Sequence, residues 1–260
     1  MDTPHLFLLL STLAFIGGVI HAVIVLRAGR WRESKWHSLP MTAGFLFQSA
    51  FLYLRGQAEG RCPLGNKFEV FIFIGWCIVL LYFVVGVAYR LSLLGVFTAP
   101  LVALLQTTAL FMPAETVAHP YKKMNVWEHL HAPLAMIAYA AFAFACITGI
   151  MFLVQDRLLK RHRIHALFHQ LPPIHDLSKA ILRLVLFGEV LFAFVMFISL
   201  QINAPITSAK MLVSWGVLAL YAVILLLMLC RTLTARQTAW LAVFGFCIPI
   251  FSLWIVTPKA

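Results

Sequence analysis

The sequence has few charged residues, and acidic residues are the scarcest of them. Only 11% of its 260 residues are charged, with nine Asp or Glu against 20 Lys or Arg, while 62% are hydrophobic. The mean hydropathy is +0.93. A soluble domain of this length does not need so many apolar residues to fill one core. The composition therefore predicts a protein whose solvent is lipid.

The sequence also lacks the motifs of common enzymes. It contains no Gly-rich phosphate loop, no CxxC pair and no nucleophile paired with a base at a recognisable spacing. Four of its five cysteines fall in apolar segments, and only Cys62 lies at a predicted outer edge, so we expect no disulfide framework. We assign no independent enzymatic activity.

Long apolar runs fill most of the chain. A helix needs roughly 20 apolar residues to cross a hydrocarbon core of about 30 Å. The runs are continuous rather than alternating, which favours helices over barrel strands. The sequence predicts an all-α, polytopic membrane helix bundle in one domain, residues 1–260, with about eight transmembrane helices: Leu6–Leu26, Leu39–Leu54, Phe68–Tyr89, Leu91–Met112, Leu130–Val154, Ile181–Ile202, Met211–Cys230 and Thr238–Val256.

The basic residues indicate an orientation. With the N-terminus outside, thirteen of the 20 Lys and Arg fall in inner segments, where such residues are enriched. We therefore expect both termini on the extracytoplasmic side of a bacterial inner membrane. The formal charge of +11 then faces anionic headgroups of the lipid bilayer, and no nucleic-acid partner is needed to explain it.

Histidines mark the beginning of the fifth predicted span. His129 and His131 follow Trp127, while His21 lies within the first span toward its inner side. An imidazole can ligate haem iron. It can also sit at headgroup level in an aromatic belt or, for His21, pack between helices. The residues alone leave these alternatives open.

Two segments carry a family resemblance. The run from Cys62 to Trp76, CPLGNKFEVFIFIGW, resembles the "F-P-L-S-N-L-Y-E-S-L-x-F-L-x-W" segment of the CcsA/ResC family of cytochrome c assembly proteins. The run from His131 to Ala141, HAPLAMIAYAA, resembles that family's "H-V-x-x-x-x-x-S-Y-A-A-L" helix. A weaker similarity runs from Lys210 to Arg231. The short, eight-span HemX- and YpjD-like members are the most similar.

The resemblance implies haem handling in cytochrome c biogenesis. It implies haem b near the outer face, with His131 as an axial ligand of the haem iron and Arg61 or Lys67 holding propionates. His129 and His21 are further candidates for cofactor binding, and Glu69 belongs to the first family segment. A ResB-like membrane partner and, indirectly, apocytochrome c are the partners that the family implies.

The chain departs from the family pattern at several positions. Residues 201–210 contain neither tryptophan nor acid, whereas the family carries a tryptophan-rich, haem-cradling motif there. Arg61 and Gln48 stand where family members place histidines, and the last span has none. Of the family's usual haem-ligand set, only His131 is present in this sequence.

Other polar residues allow two interpretations each. Glu69 is either an interfacial ion-pair residue near Arg61 and Lys67 or part of the site. Glu189, inside a predicted span, is either protonated or hydrogen-bonded, or else part of a proton relay. His162, His165 and His169 share a helical face, a spacing that can indicate a zinc site. Because no acid or cysteine lies close by, the sequence favours a basic lipid-facing helix instead.

Three classes of function remain from the sequence. The first is haem binding and delivery at the outer face of the inner membrane. The second is an accessory or regulatory membrane protein that has the same fold and binds no haem. The third is a small-solute transporter, for which the glycines and prolines within spans and Glu189 are the indications.

Overall fold

The secondary structure in the described parts of the chain is helical. The computed structural model describes residues 3–27, 38–60, 62–89, 94–112, 126–160, 171–202 and 208–256. These ranges contain a helix at each of the eight predicted spans. Their bounds are α1 Thr3–Arg27, α2 Leu39–Glu59, α3 Lys67–Tyr89, α4 Leu94–Leu110, α5 Val126–Lys160, α6 Ile174–Gln201, α7 Ala209–Leu229 and α8 Ala235–Val256.

Six of these helices are long and apolar enough to cross a membrane. They are α1, α3, α5, α6, α7 and α8. The apolar α4 is shorter, with 17 residues, and α2 has 21 residues with a polar last turn. The chain is therefore a multi-pass helical membrane protein, as the composition predicts.

Local sequence explains where two of the helices begin or end. Pro172 and Pro173 stand directly before α6, which begins at Ile174, where the missing proline N–H costs no helical hydrogen bond. Gly60 caps the C-terminal end of α2, and its φ of 63° lies in the left-handed region that a glycine reaches at little cost.

Helix α5 lies at the centre of the bundle. It contacts α3 and α4 on one side and α6 and α8 on the other. Helices α1 to α4 pack around one another, and α7 packs against α6 and α8. The segment from Ala138 to Ile147 is buried along its whole length, and five of its ten residues are alanines. Small side chains let helices approach closely inside a membrane.

The bundle has two ends, which we name after residues of α5. At the Arg157 end, a cavity of about 130 Å³ is lined by Val85 of α3, Leu94 of α4 and Asp176 of α6. The His131 end carries the α2–α3 turn and the beginning of α5. The Arg157 end corresponds to the predicted inner side, and the His131 end corresponds to the predicted outer side.

Helices α5 and α8 approach each other closely at Gly149. A Cβ atom there would lie 2.8 Å from the backbone oxygen of Ala239, so we expect Gly149→Ala to push the helices apart and to destabilise the protein by about 1–3 kcal/mol. The measurement is the thermal unfolding midpoint in mild detergent. The control is Gly17→Ala in α1, where nothing lies within 4 Å of the added atom. A Gly149→Ala midpoint equal to that of the Gly17→Ala variant would contradict the packing.

Candidate functional site

The turn between α2 and α3 is held by side chains of the first family-like segment. The Asn66 side-chain oxygen accepts a hydrogen bond of 2.8 Å from the Glu69 backbone N–H, which caps the beginning of α3. The Glu69 carboxylate folds back and accepts a 2.8 Å bond from the Gly65 backbone N–H. The polar residues of this segment therefore build the turn itself.

Glu69 forms a buried ion pair with α2. Its side chain is fully buried, and its Oε1 atom lies 3.0 Å from Nε of Arg55. Arg55 also lies 2.8 Å from Glu59 one turn further along α2. The sequence suggested Arg61 and Lys67 as neighbours of Glu69, and the structure pairs Glu69 with Arg55.

Two further contacts join α2 to α3 below the turn. The Gln48 amide donates a 2.8 Å hydrogen bond to the Ile72 carbonyl, and the Trp76 indole donates one of 2.8 Å to the Ser49 hydroxyl. Gln48 is fully buried. Its amide therefore occupies the position between helices at which the resemblance expects an imidazole.

His131 lies in the second turn of α5 and faces the last turns of α6. Its Nδ1 atom lies 3.2 Å from the Ser199 hydroxyl oxygen. The imidazole is partly buried and Ser199 is buried. The histidine is therefore oriented by a neighbouring helix.

The Ser199 hydroxyl has two acceptors within reach, the Val195 carbonyl at 3.1 Å and Nδ1 of His131 at 3.2 Å. When its one hydrogen goes to Val195, the bond to His131 has Nδ1–H as donor and the serine oxygen as acceptor. In a neutral imidazole this arrangement leaves the lone pair on Nε2 available to a metal ion, and a hydrogen bond at the other ring nitrogen is the usual support of a ligating histidine.

A second tertiary hydrogen bond lies two turns further along α5. The Tyr139 hydroxyl is 3.1 Å from the hydroxyl of Ser252 on α8, and Ser252 donates to the Pro249 carbonyl at 2.7 Å. His131 and Tyr139 belong to the same family-like segment. This segment therefore ties α5 to α6 and to α8.

The structure separates some of the predicted site residues. Lys67, Glu69 and His131 lie at the His131 end, whereas His21 lies near the last turn of α1. The preceding turn of α1 packs at Gly18 against Pro40, which is at the beginning of α2. His21 and His131 are therefore at opposite ends of the bundle and do not come together.

His129 does not join His131 in a pocket that the structure describes, and several other predicted residues lie outside the described part of the chain. His129 is exposed on α5, and two residues of a helix turn through about 200°, so it faces away from His131. Arg61 lies outside the described residues, as do His162, His165 and His169. Their predicted roles stay predictions.

Glu189 lies near the middle of α6 and is buried. Its Oε2 atom has no hydrogen-bond partner among the residues that the structure describes, and the same is true of the Tyr221 hydroxyl. The described contacts therefore supply neither the hydrogen-bonded partner nor the relay chain that the sequence left open for Glu189.

Sequence reasoning missed Arg55 and Ser199. Arg55 shares the polar last turns of α2 with Glu59 at a four-residue spacing, and an antiparallel α2–α3 pair places those turns beside the beginning of α3. The polar last turns of α2, placed beside α3 in this way, are the sequence signal that could have identified Arg55 as a partner of Glu69. Ser199 has none, because a serine near the end of an apolar helix is common and its partner lies 68 residues away.

The described helices form a multi-pass membrane bundle, with a capped, ion-paired α2–α3 turn and an oriented imidazole at the same end. The family described as "Cytochrome C assembly protein" matches residues 64–199, from the α2–α3 turn to Ser199. This is more than half of the chain. The chain belongs to the cytochrome c assembly protein family, of the CcsA type.

Named relatives agree with this assignment. The chain is 34% identical over 111 residues to the cytochrome c biogenesis protein CcsA of Chlorella vulgaris, covering 41% of the chain and 35% of that protein. It is 28% identical over 143 residues to the protein HemX of Brevibacillus brevis, covering 54% and 52%. It is 28% identical over 141 residues to the CcsA protein of Nostoc punctiforme, covering 49% and 40%. These matches span between about a third and a half of each relative.

The Arg55–Glu69 pair allows a stability test of the turn. Replacing Arg55 by methionine leaves a buried carboxylate without its cation, so we expect Arg55→Met to cost about 3–5 kcal/mol of stability. Adding Glu69→Gln should restore part of the loss, because the two residues interact directly. The free energies of unfolding in detergent measure both effects.

The matched control is Glu59→Gln, which removes the other carboxylate beside Arg55 at the end of α2. Both side chains of the Arg55–Glu59 pair are only 12% exposed, so we expect a loss of stability that is smaller than that of Arg55→Met, because Glu69 keeps its cation. An Arg55→Met variant that is as stable as Glu59→Gln, with no recovery in the double variant, would contradict the buried pair.

Proposed function

We propose that this protein binds haem b at the His131 end of the bundle and hands it on in cytochrome c biogenesis. The observation that carries the proposal is the 3.2 Å contact between the Ser199 hydroxyl and Nδ1 of His131, which orients the imidazole through Nδ1 rather than Nε2. The family supports it, because the matched segment contains both His131 and Ser199. In this proposal the His131 end faces the outside of a bacterial inner membrane.

The residues at this end suit an anionic porphyrin. His131 supplies a nitrogen ligand for iron, and Lys67 lies at the beginning of α3 at the same end. A basic side chain there can pair with a haem propionate. Arg61 would join it as the next cation along the chain. Haem, when bound, supplies the iron, and the protein's own part is to orient His131 through Ser199.

Partners follow the family in the same proposal. A ResB-like membrane protein would pack against the apolar outer surface of the bundle, and apocytochrome c would receive haem through that complex. Helix α7 suits such a contact because its Leu212, Val223 and Leu226 side chains are exposed. Within the part of the chain that the structure describes, α7 packs closely only against α6 and α8.

A second candidate function is that of an accessory membrane protein that does not bind haem. Gln48 favours it, because an amide that already bonds the Ile72 carbonyl replaces a histidine of the family pattern. The similarity to HemX also favours it. The two candidates differ in one observable, which is whether the purified protein binds haem.

Haem binding is tested by the absorption spectrum of the purified protein with added haem. We expect a Soret band typical of histidine ligation in the parent protein and its loss in His131→Ala. Ser199→Ala should keep the band but weaken haem affinity roughly 10–100-fold, as for other residues that support a metal ligand. The control is His129→Ala, whose exposed ring should not matter.

Three results would remove the proposal. They are a parent protein without any Soret band, a His131→Ala variant with the parent spectrum, and an equal effect of His129→Ala. The first of these results would favour the accessory function instead.

The orientation is tested with two cysteines. Cys62 beside the α2–α3 turn and Cys230 after α7 are both exposed, and they lie at opposite ends of the bundle because an odd number of helices separates them. In intact cells we expect a membrane-impermeant thiol reagent to label Cys62 and to spare Cys230, which becomes labelled only after the cells are opened. Labelling of Cys230 but not Cys62 in intact cells would reverse the orientation.

A further inference from the structure

A groove between α5 and α8 at the Arg157 end belongs to no part of the proposed haem site. It encloses about 620 Å³. One wall comes from the last turns of α5 and the other from the first turns of α8. Below it the helices meet at Gly149, where a Cβ would lie 3.1 Å from the Val243 side chain, so the groove closes toward the membrane interior.

The upper part of this groove is basic. Arg157 and Lys160 of α5 and Arg236 of α8 line it, and all three are exposed. Asp156 is the acidic residue that lines it. Three cations against one carboxylate leave a formal excess of two positive charges, so the groove is complementary to an anion.

Asp156 positions two of these cations. Its Oδ2 atom lies 2.8 Å from Nζ of Lys160 and 3.8 Å from Nε of Arg236. The carboxylate thereby links α5 to α8 and holds the two charges over the groove. Arg157 makes no ion pair with any residue that the structure describes, and residues 161–170, which follow α5, contain no acid. Its guanidinium is available to a ligand.

The lower part of the groove is apolar. Ile150, Val154 and Val243 line it, and Ile150 is exposed. Trp240 stands at the border between the two parts and stacks on Phe244 with ring centroids 5.2 Å apart. A tryptophan at such a border is typical of the level where headgroups meet acyl chains.

We propose that this groove binds an anionic glycerophospholipid. The phosphodiester pairs with Arg157 and Arg236, which present the planar donors that suit phosphate oxygens, and an acyl chain lies along Ile150 and Val243. The apolar lower wall selects a lipid over a free phosphate, because free phosphate gains nothing from it. The bound lipid joins the end of α5 to the beginning of α8 across the groove.

The test is native mass spectrometry of the detergent-purified full chain titrated with lipid. The probes are phosphatidylglycerol, phosphatidylcholine of the same acyl chains, and glycerol 3-phosphate. We expect phosphatidylglycerol to bind most tightly. The double variant Arg157→Gln/Arg236→Gln should bind it about 30-fold more weakly, at about 1 kcal/mol for each charge removed.

Two further variants show whether binding depends on the groove itself. Arg157→Gln alone disturbs none of the Asp156 pairs and should weaken binding about fivefold, so it reports on the site if the double variant is unstable. The matched control is Lys179→Gln, an exposed cation near the beginning of α6 at the same end but outside the groove. It should bind phosphatidylglycerol as the parent does.

Several outcomes would overturn the proposal. Equal affinity for the two lipids would show that charge does not select the ligand. Equal affinity for glycerol 3-phosphate would show a phosphate site rather than a lipid site. Arg157→Gln with parental affinity would show that binding does not use the groove. Lys179→Gln with the same loss as Arg157→Gln would show that binding follows overall surface charge.

Discussion

Polar groups inside this bundle must find their partners within the protein, because hydrocarbon offers none. The requirement is met most visibly at Glu69, a fully buried carboxylate that pairs with Arg55 and the Gly65 backbone. It is met again at His131, whose ring nitrogen bonds Ser199. Each of these contacts joins two helices or a helix and a turn. The same bonds that satisfy buried polar atoms therefore set the geometry of the His131 end.

The helices were predictable because their physical cause is local. A continuous apolar run of about 20 residues has few alternatives in a membrane, and a helix stands at every predicted span. The differences lie at the ends, where polar residues extend helices beyond the hydrocarbon. Helix α5, for example, begins at Val126 and ends at Lys160, whereas its apolar run covers only Leu130–Val154. Hydropathy marks the buried part of a helix and not its full length.

The site was predictable only in part, because its partners come from distant parts of the chain. The two family-like segments indicate Glu69 and His131, but the residues that orient them have no sequence signal of comparable strength. Sequence proximity places Arg61 and Lys67 near Glu69, whereas Arg55 faces it across the α2–α3 turn. The sequence already predicts His21 toward the inner side of the first span, and the alternating direction of the helices places it at the end opposite His131.

The two ends of the bundle present side chains of different chemistry. The His131 end offers an imidazole whose free nitrogen suits iron, and the Arg157 end offers cations over an apolar groove that suits a lipid phosphate. Helix α5 runs through both, with a buried, alanine-rich middle that contacts four other helices. Its packing therefore fixes both ends at once.

The central proposal is that His131 binds the haem iron through Nε2 while Ser199 holds its Nδ1. The most direct measurement is pulsed electron paramagnetic resonance of the ferric, haem-loaded protein carrying histidine labelled with nitrogen-15 at Nε2 only. The account predicts a strong hyperfine coupling between the iron and the labelled nitrogen, which disappears with His131. Coupling to the unlabelled Nδ1 instead, or no histidine coupling at all, would contradict it.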